Sequence, residues 1–292
     1  MKNLVHIVLA LGLAAALAGC GGGGGNGAAA VADVEVPPIA APGAAASPTA
    51  SSTGGSCSAG GNTDVFGDLP FRTAHRDNIR DYGCLIVRKD AGHPVFDGAE
   101  SARFEVRDGD CSASASFDDC AHDRSRHEIN ESTQQPTNGN TLAYTTHVLI
   151  PEQPRFKPHG KNTLFLTQIN FIDAGDVYGT LAYLEVADNG DLLVRTSTGF
   201  TFGIEKKYPV YSNPAGKWIK VSWEIRSSTG PDGYLKVYVD DVLKVNESRP
   251  TLPSATAFNR LRIGIYNVFR SKALEPYGDQ VVYFDSISKS VR

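Results

Sequence analysis

Three charged side chains in one short segment have the types and spacing needed to bind an anion. In residues 120–129, strand alternation places Arg124, Arg126 and Glu128 on one face and the residues between them on the other. A guanidinium binds carboxylates through a fixed fork of N–H donors. Three charges along one face are unusual for an ordinary sheet and indicate a wet groove that holds an anionic ligand. The alternative is a cross-strand salt-bridge ladder, which contributes little to stability.

Two later segments also have one polar and one apolar face. The polar faces carry Gln168 and Asn170 in residues 163–171, and Arg260, Arg262, Gly264 and Tyr266 in residues 260–266. The apolar faces carry Phe165, Ile169 and Phe171, and Leu261, Ile263 and Ile265. If the three segments are neighbours in one sheet, they form a concave surface that carries Arg124, Arg126, Glu128, Gln168, Asn170, Arg262 and Tyr266.

The elements that position these residues are strands, because two-residue alternation recurs along the chain and helical periodicity is hard to find. We predict further strands at residues 102–107, 142–150, 181–186, 192–197, 218–225, 234–239, 261–268 and 280–286. Turn signals separate them at residues 188–191, 229–233 and 240–241. Many short strands of this kind predict an all-β, two-sheet jelly-roll sandwich.

The first part of the chain has the composition of an export signal and a tether. Lys2 precedes an apolar stretch, residues 4–17, that is too short for a stable membrane span, and Leu-Ala-Gly-Cys follows at residues 17–20. Residues 1–20 therefore resemble a bacterial lipoprotein signal, which implies that Cys20 is lipidated; a plain secretory signal is the alternative. Because Gly21 follows rather than Asp, we expect the outer membrane or cell surface. Residues 21–61, rich in Gly, Ala, Ser and Pro, are predicted to be a flexible linker before a folded domain at 62–292.

The net charge limits the classes of binding partner, and the cysteine content indicates disulfides. A net charge of −4 without a basic tract argues against nucleic acid. In an exported chain, the remaining cysteines form an even set, and we predict the disulfides Cys57–Cys84 and Cys111–Cys120. No spacing matches a zinc site, and we expect no cofactor.

The acidic residues Asp188, Asp191, Asp240 and Asp241 are interpreted as turn residues, with a structural calcium site as the alternative.

A set of short motifs in a fixed order carries a resemblance to a known family. The motifs are ARFEVRDGDC at 102–111, DRSRHEI at 123–129, QIN at 168–170, GKW at 216–218 and RIGIY at 262–266. From about Glu100 to the end, the chain resembles the jelly-roll polysaccharide lyases of the heparin lyase I and glucuronan lyase type, and is more distantly similar to jelly-roll alginate lyases. The resemblance implies a concanavalin-like sandwich that cleaves uronate-containing polysaccharides by β-elimination.

The same resemblance implies roles for individual residues. Arg126 and Gln168 would contact the substrate carboxylate, and Tyr266 would occupy the position of the catalytic tyrosine. Asn170 stands where the family often has a histidine, and it can serve as a further neutraliser of the carboxylate. Other candidates for substrate contacts are Arg124, Glu128, Arg262 and His147.

The residue types suit this chemistry. β-Elimination removes the C5 proton beside the carboxylate and expels the O4 oxygen, so the developing charge must be stabilised by fixed donors. Tyr266 can act as base if arginine charges stabilise its phenolate, or return the proton to O4 as acid. We therefore expect a monomeric lyase acting on an acidic polysaccharide, attached to the membrane only through its lipid.

Other functions fit parts of the sequence. The runner-up is a non-catalytic carbohydrate-binding surface lipoprotein that lost its base, as Asn170 suggests. A glycoside hydrolase needs two carboxylates at the scissile bond, and Glu128 has no evident partner on its face. Without the resemblance, Tyr266 would be interpreted as a packing residue with its hydroxyl at the rim of the sheet.

Overall fold

A computed structural model describes residues 56–57, 63–74, 80–114, 117–153, 163–173, 178–200, 205–273 and 278–292. The predicted signal, with Cys20, lies outside the described residues, and the predicted linker is described only at Ser56 and Cys57. Ser56 forms a β-bridge with Leu85. None of the described helices is both long and apolar enough to cross a membrane.

Strands make up most of the described chain. In chain order they are β1 Phe71–Thr73, β2 Cys84–Arg88, β3 Glu100–Val106, β4 Ala113–Ser114, β5 Phe117–Asp118, β6 Arg124–Glu131, β7 Thr141–Leu149, β8 Thr163–Ile172, β9 Tyr178–Val186, β10 Leu192–Ser197, β11 Glu205–Tyr211, β12 Trp218–Arg226, β13 Tyr234–Val239, β14 Val242–Ser248, β15 Phe258–Val268 and β16 Gln280–Val291. The described helical segments are short: α1 Thr63–Phe66 and the 3-10 turns Lys89–Ala91 and Arg270–Lys272.

Two seven-stranded antiparallel sheets form a jelly-roll sandwich, as predicted. One sheet has the order β1-β6-β15-β8-β9-β10-β11, and the other has the order β14-β13-β12-β7-β16-β3-β2. Large side chains from both sheets are fully buried between them, among them Trp223, Tyr144, Phe104 and Phe171. Burial of this apolar surface is the main favourable contribution to the stability of such a core.

The alternation patterns predict most of the long strands. In β12, residues 219, 221, 223 and 225 are buried and the residues between them are only partly buried, as the sequence indicates. The prediction missed β1, β2, β11 and β14 and the small β4–β5 ribbon. β11 is an edge strand that carries Glu205, Lys206, Lys207 and Pro209. Because an edge strand of this kind has little apolar surface, its sequence shows no alternation of apolar and polar residues.

Both predicted disulfides are present. Cys57–Cys84 ties the start of the domain to β2. Cys111–Cys120 closes the loop that contains the β4–β5 ribbon and leads into β6. This second bridge therefore fixes the approach to the strand that carries Arg124 and Arg126.

The acidic turn residues make turn contacts. The Asp191 carboxylate accepts hydrogen bonds from Asn189 and from the backbone N–H of Asn213, and Asp240 accepts the N–H of Lys220. Across the described part of the chain, no three His, Cys, Asp or Glu side chains are arranged to hold a metal ion. The contacts of Asp191 and Asp240 agree with their interpretation as turn residues.

Candidate active site

The three segments with polar faces are neighbouring strands, as the concave surface requires. β15 lies between β6 and β8, with Tyr266 opposite Arg126 on β6. Arg262 lies opposite Asn130 on one side and Gln168 on the other. Their side chains project from the outer face of the sheet, because the intervening residues of β15 enter the core.

A glycine allows β15 to approach β6 closely beside the tyrosine. Gly264 has φ 137°, a conformation that side-chain-bearing residues rarely adopt. A Cβ atom there would lie 2.2 Å from the His127 carbonyl oxygen and 2.7 Å from the Glu128 Cα. The pairing of β15 with β8 also shifts by one residue between Ile263 and Tyr266. This bulge brings Tyr266 opposite Phe165, so both aromatic residues occupy the outer face.

A groove of about 990 Å³ runs over this face. Its described lining includes six arginines: Arg72, Arg124, Arg126, Arg195, Arg260 and Arg262. Glu205 is the one carboxylate in that described lining, and the aromatic rings in it are those of Phe117, Phe165, Tyr178, Tyr183, Tyr266 and Phe269. The chain as a whole has a net charge of −4, so the groove concentrates positive charge locally and suits an anionic ligand.

Arg126 is fixed against the ring of Tyr266. Its guanidinium carbon lies 3.9 Å from the centroid of the ring. On its other edges, the guanidinium donates two hydrogen bonds of 2.7 Å to Asp119 and one of 3.3 Å to Glu128. Burial opposes the charge of Arg126, but the carboxylates of Glu128 and Asp119 outweigh it and raise the pKa of the guanidinium. Arg126 is therefore a permanent cation beside the phenol.

The buried carboxylate of Glu128 contacts three side chains that line the groove. One oxygen accepts a 2.6 Å hydrogen bond from the Gln168 amide nitrogen, and the other lies 3.3 Å from Arg126 and 3.5 Å from Arg262. The Glu128 side chain has no exposed surface and does not line the groove. Its position indicates that Glu128 orients groove-lining side chains and does not itself meet a ligand in the groove.

Asn170 also lies behind the groove lining. It is fully buried, and its amide nitrogen donates to Thr180 at 3.0 Å and to the Gln168 carbonyl oxygen at 3.4 Å. Since Gln168 accepts from Asn170 and donates to Glu128, its amide has one defined orientation. Asn170 therefore contacts the groove-lining side chain of Gln168 and does not itself line the groove.

Burial controls the protonation of Tyr266. It raises the pKa of the phenol to about 12, although the charges of Arg126 and Arg124 lower it in part. Arg124 also lines the groove, with its guanidinium 5.2 Å from the Phe117 ring centroid. At neutral pH the phenol is protonated, and arginine charges close by stabilise its phenolate when it forms.

Two expectations do not match the positions of the residues. His147 lies on β7 in the other sheet, where its ring stacks on Phe96 at 3.8 Å, so it is remote from the groove and is not carried further as a substrate contact. The prediction that Phe165 faces the core is wrong, because it lies on the groove face and stacks on Tyr183 at 4.1 Å. Irregular pairing of β8 with β9 between Phe165 and Thr167 breaks the alternation there.

Several site residues escaped the sequence analysis. Asp119, Arg72, Arg195, Tyr178, Thr180 and Tyr183 were not singled out. Asp119 has a recognisable signal, because it lies inside the predicted Cys111–Cys120 loop just before the charged strand. The sequence places Arg260 on the polar face of residues 260–266 but indicates no role for it.

Fold and groove together define a jelly-roll sandwich protein with a basic cleft. A family model described as "Polysaccharide lyase" matches residues 89–288, and the chain belongs to this family and is a polysaccharide lyase. No curated protein sequence matches the chain.

Several solved structures are similar to the chain at low sequence identity. The endo-β-1,4-glucuronan lyase from the fungus Trichoderma reesei has a TM-score of 0.56 and 14% identity, covering 75% of this chain and 94% of that one. The alginate lyase AlyC3 has a TM-score of 0.48 and 14% identity, covering 66% of this chain and 75% of its own. The family 7 alginate lyase A1-II′ has a TM-score of 0.48 and 14% identity, covering 65% and 78%.

Proposed function

We propose that this lyase cleaves a uronate-containing acidic polysaccharide by β-elimination, with Tyr266 transferring the protons. The observation that carries the proposal is the contact between Tyr266 and Arg126 in a groove whose described lining has six arginines and one carboxylate. The endo-β-1,4-glucuronan lyase that shares the fold acts on glucuronan, as its name states, and an acidic substrate of this kind agrees with the charge of the groove.

Arg126 and Gln168 bind the carboxylate of the sugar that loses its C5 proton. Both line the groove, and Glu128 holds both through hydrogen bonds. Three of the five guanidinium N–H groups of Arg126 are bonded to Asp119 and Glu128, which leaves two for a ligand. Neutralising the carboxylate makes the C5 proton more acidic, because the charge that develops on deprotonation then meets fixed donors. Asn170 supports this step by orienting Gln168.

Tyr266 serves as base and then as acid. Its phenolate, stabilised by Arg126 and Arg124, takes the proton from C5. The C–H electron pair forms the C4–C5 double bond as the C4–O4 bond breaks, and the phenol returns the proton to the departing O4. One residue can perform both transfers if the two atoms lie on the same face of the sugar ring. The high pKa makes the phenolate scarce but a strong base when present.

A hydrolytic reaction is poorly supported by the same groove. Glycosidases of the usual kind place two carboxyl groups on either side of the scissile bond. In the described lining, Glu205 stands alone and accepts a hydrogen bond from Arg195. Glu128 is buried beneath the donors that it orients, so it cannot serve as the second carboxyl group.

We propose, in addition, that the lyase is exported and held at the outer membrane or cell surface by a lipid on Cys20. The two disulfides support an oxidising compartment. Cells fed a labelled fatty acid should incorporate the label into the wild-type chain and not into Cys20→Ser. Equal labelling of both chains would contradict the lipid anchor.

The activity is tested directly by ultraviolet absorbance, because elimination leaves a C4–C5 double bond conjugated with the carboxylate. The folded protein should raise the absorbance with at least one polymer from a panel of glucuronan, alginate and glycosaminoglycans. Saturable binding to such polymers without any new absorbance would instead support the non-catalytic alternative. Release of reducing ends without absorbance would indicate hydrolysis.

A further inference from the structure

The two ends of the groove differ in how their arginines are compensated. At one end, Arg195 donates hydrogen bonds to Glu205 and Glu185, so its charge is balanced by two carboxylates. At the other end, Arg260 and Arg72 line the groove beside Arg262. The Arg260 Nε has no hydrogen-bond partner among the described residues. At this second end, the guanidinium of Arg260 therefore has no carboxylate bonded to it among the described residues.

Keeping the unpaired guanidinium of Arg260 buried destabilises the folded protein. Only 7% of its surface is exposed, and an unpaired buried charge is strongly unfavourable. Burial lowers the pKa of its guanidinium to about 10, and the positive charges of Arg262 and Arg72 contribute to the decrease. The carboxylate of Glu131 partly offsets them, but it is already bonded to Tyr144 and Lys289.

We propose that Arg260, with Arg72, forms a second carboxylate-binding subsite for a uronate farther along the same polysaccharide chain. The inference rests on the proposed function, because it assumes that the groove holds such a chain. The backbone positions of Arg260 and Tyr266 are six residues apart on β15, about 20 Å at the rise of a strand, so the two sites contact different sugars and Arg262 lies between them. An incoming carboxylate supplies the partner that the buried guanidinium lacks.

Tyr178 extends this subsite. Its side chain is 42% exposed, it lines the groove, and its ring lies 5.6 Å from the Arg262 guanidinium carbon. An exposed tyrosine ring offers a flat apolar surface with a polar edge, against which a sugar ring can pack. The subsite thus combines a free cation for the carboxylate with an aromatic surface for the ring. The substrate it selects is a long chain with recurring carboxylates, rather than a short oligomer.

The test compares the Arg260→Gln variant with wild type on uronate oligomers of increasing length. Oligomers too short to reach from Tyr266 to Arg260 should be cleaved with the same KM by both proteins. For long oligomers, KM should rise roughly tenfold or more in the variant, since a charge-assisted hydrogen bond is lost, while kcat stays close to wild type. Arg88→Gln is the matched control, because this exposed arginine pairs with Asp90 at the edge of the other sheet. Its loss should change neither the KM for short oligomers nor the KM for long ones.

Equal effects of Arg260→Gln on short and long oligomers, or no effect on either, would overturn the subsite. If wild type cleaves no uronate polymer, the proposed function fails, and calorimetric binding of an intact polyuronate then decides the subsite separately. Equal affinities of wild type and Arg260→Gln in that measurement would overturn it. Weaker binding by the variant would support the subsite without the reaction.

Thermal unfolding without ligand gives an independent readout. Because Arg260→Gln removes an uncompensated buried charge, the variant should unfold at a higher temperature than wild type. The conservative Arg260→Lys keeps the charge and should bind long oligomers more tightly than Arg260→Gln. A lower unfolding temperature for Arg260→Gln would show that Arg260 serves the fold, and would contradict a subsite held open for a ligand.

Discussion

Asp119 holds Arg126 by two hydrogen bonds of 2.7 Å, both between groups with almost no exposed surface. The carboxylate belongs to the loop that the Cys111–Cys120 disulfide closes, while the guanidinium lies on β6 under the ring of Tyr266. The position of the proposed base therefore depends on a residue outside the strands of the groove. Such indirect support is how a site is held to the geometry that its chemistry needs.

The first prediction concerns this ion pair. Asp119→Asn should lower the free energy of unfolding by about 3 kcal/mol, because it leaves a buried guanidinium with one carboxylate partner fewer. It should also lower kcat, since Arg126 is no longer held against Tyr266. Denaturant unfolding and the rate of absorbance increase measure the two effects. Asp90→Asn, which removes an exposed carboxylate paired with Arg88, is the control and should alter neither. A stable, fully active Asp119→Asn would refute the role of the pair.

The second prediction concerns the close approach of β15 to β6. Gly264→Ala adds a Cβ atom that would meet backbone atoms of His127 and Glu128 at 2.2 and 2.7 Å, in a backbone conformation unfavourable to alanine. The strands must separate, so we expect lower stability and a displaced Tyr266. Gly109→Ala is a matched control, because it also has positive φ but no atom within 4 Å of the added Cβ. Equal unfolding transitions and rates in the two variants would argue against a special role for Gly264.

The third prediction is the pH dependence of the reaction. Burial raises the pKa of Tyr266 to about 12, so the phenolate fraction increases about tenfold for each pH unit well below that value. If the phenolate is the base, kcat/KM should rise with pH with a slope near one on a logarithmic scale between about pH 7 and 10. Rates measured at constant ionic strength test this. A flat profile over that range would contradict a tyrosinate base.

The raised pKa of Tyr266 also makes the free energy of unfolding depend on pH. Since the folded state keeps the Tyr266 proton more tightly than the unfolded state, the stabilisation is fully present below about pH 10 and is lost as pH rises towards 12. Burial also raises the pKa values of Tyr82 and Tyr208 to about 12, so these two phenols change the stability with pH in the same direction. The Tyr266→Phe variant should therefore lose stability less steeply than wild type over this range. Parallel curves of unfolding free energy against pH would contradict the shift.

Alternation predicted which side chains share a face but not how deep each one lies. It placed Arg126, Gln168 and Tyr266 correctly on one surface. It could not show that Glu128 and Asn170 lie beneath the groove lining, because depth depends on neighbouring strands. The outer position of Phe165 follows from irregular pairing that no periodic pattern reveals.

Long-range topology limited the prediction in the same way. His147 lies on an alternating strand like the others, but strand order assigns it to the opposite sheet. Asp119 reaches Arg126 from a loop, and the uncompensated charge of Arg260 becomes visible only when the neighbours of its side chain are known. The motifs thus locate the strands that line the groove, whereas the supporting contacts and the proposed second subsite require coordinates.

The most direct measurement of the central claim is the initial rate of ultraviolet absorbance increase for wild type, Tyr266→Phe and Tyr283→Phe on one uronate polymer. Tyr283 lies in the other sheet, so its variant controls for loss of a tyrosine hydroxyl outside the groove. We predict that Tyr283→Phe keeps the wild-type rate, and that Tyr266→Phe remains folded but is slower by a factor of about 100 or more. A Tyr266→Phe variant that forms unsaturated product at the wild-type rate would contradict the account.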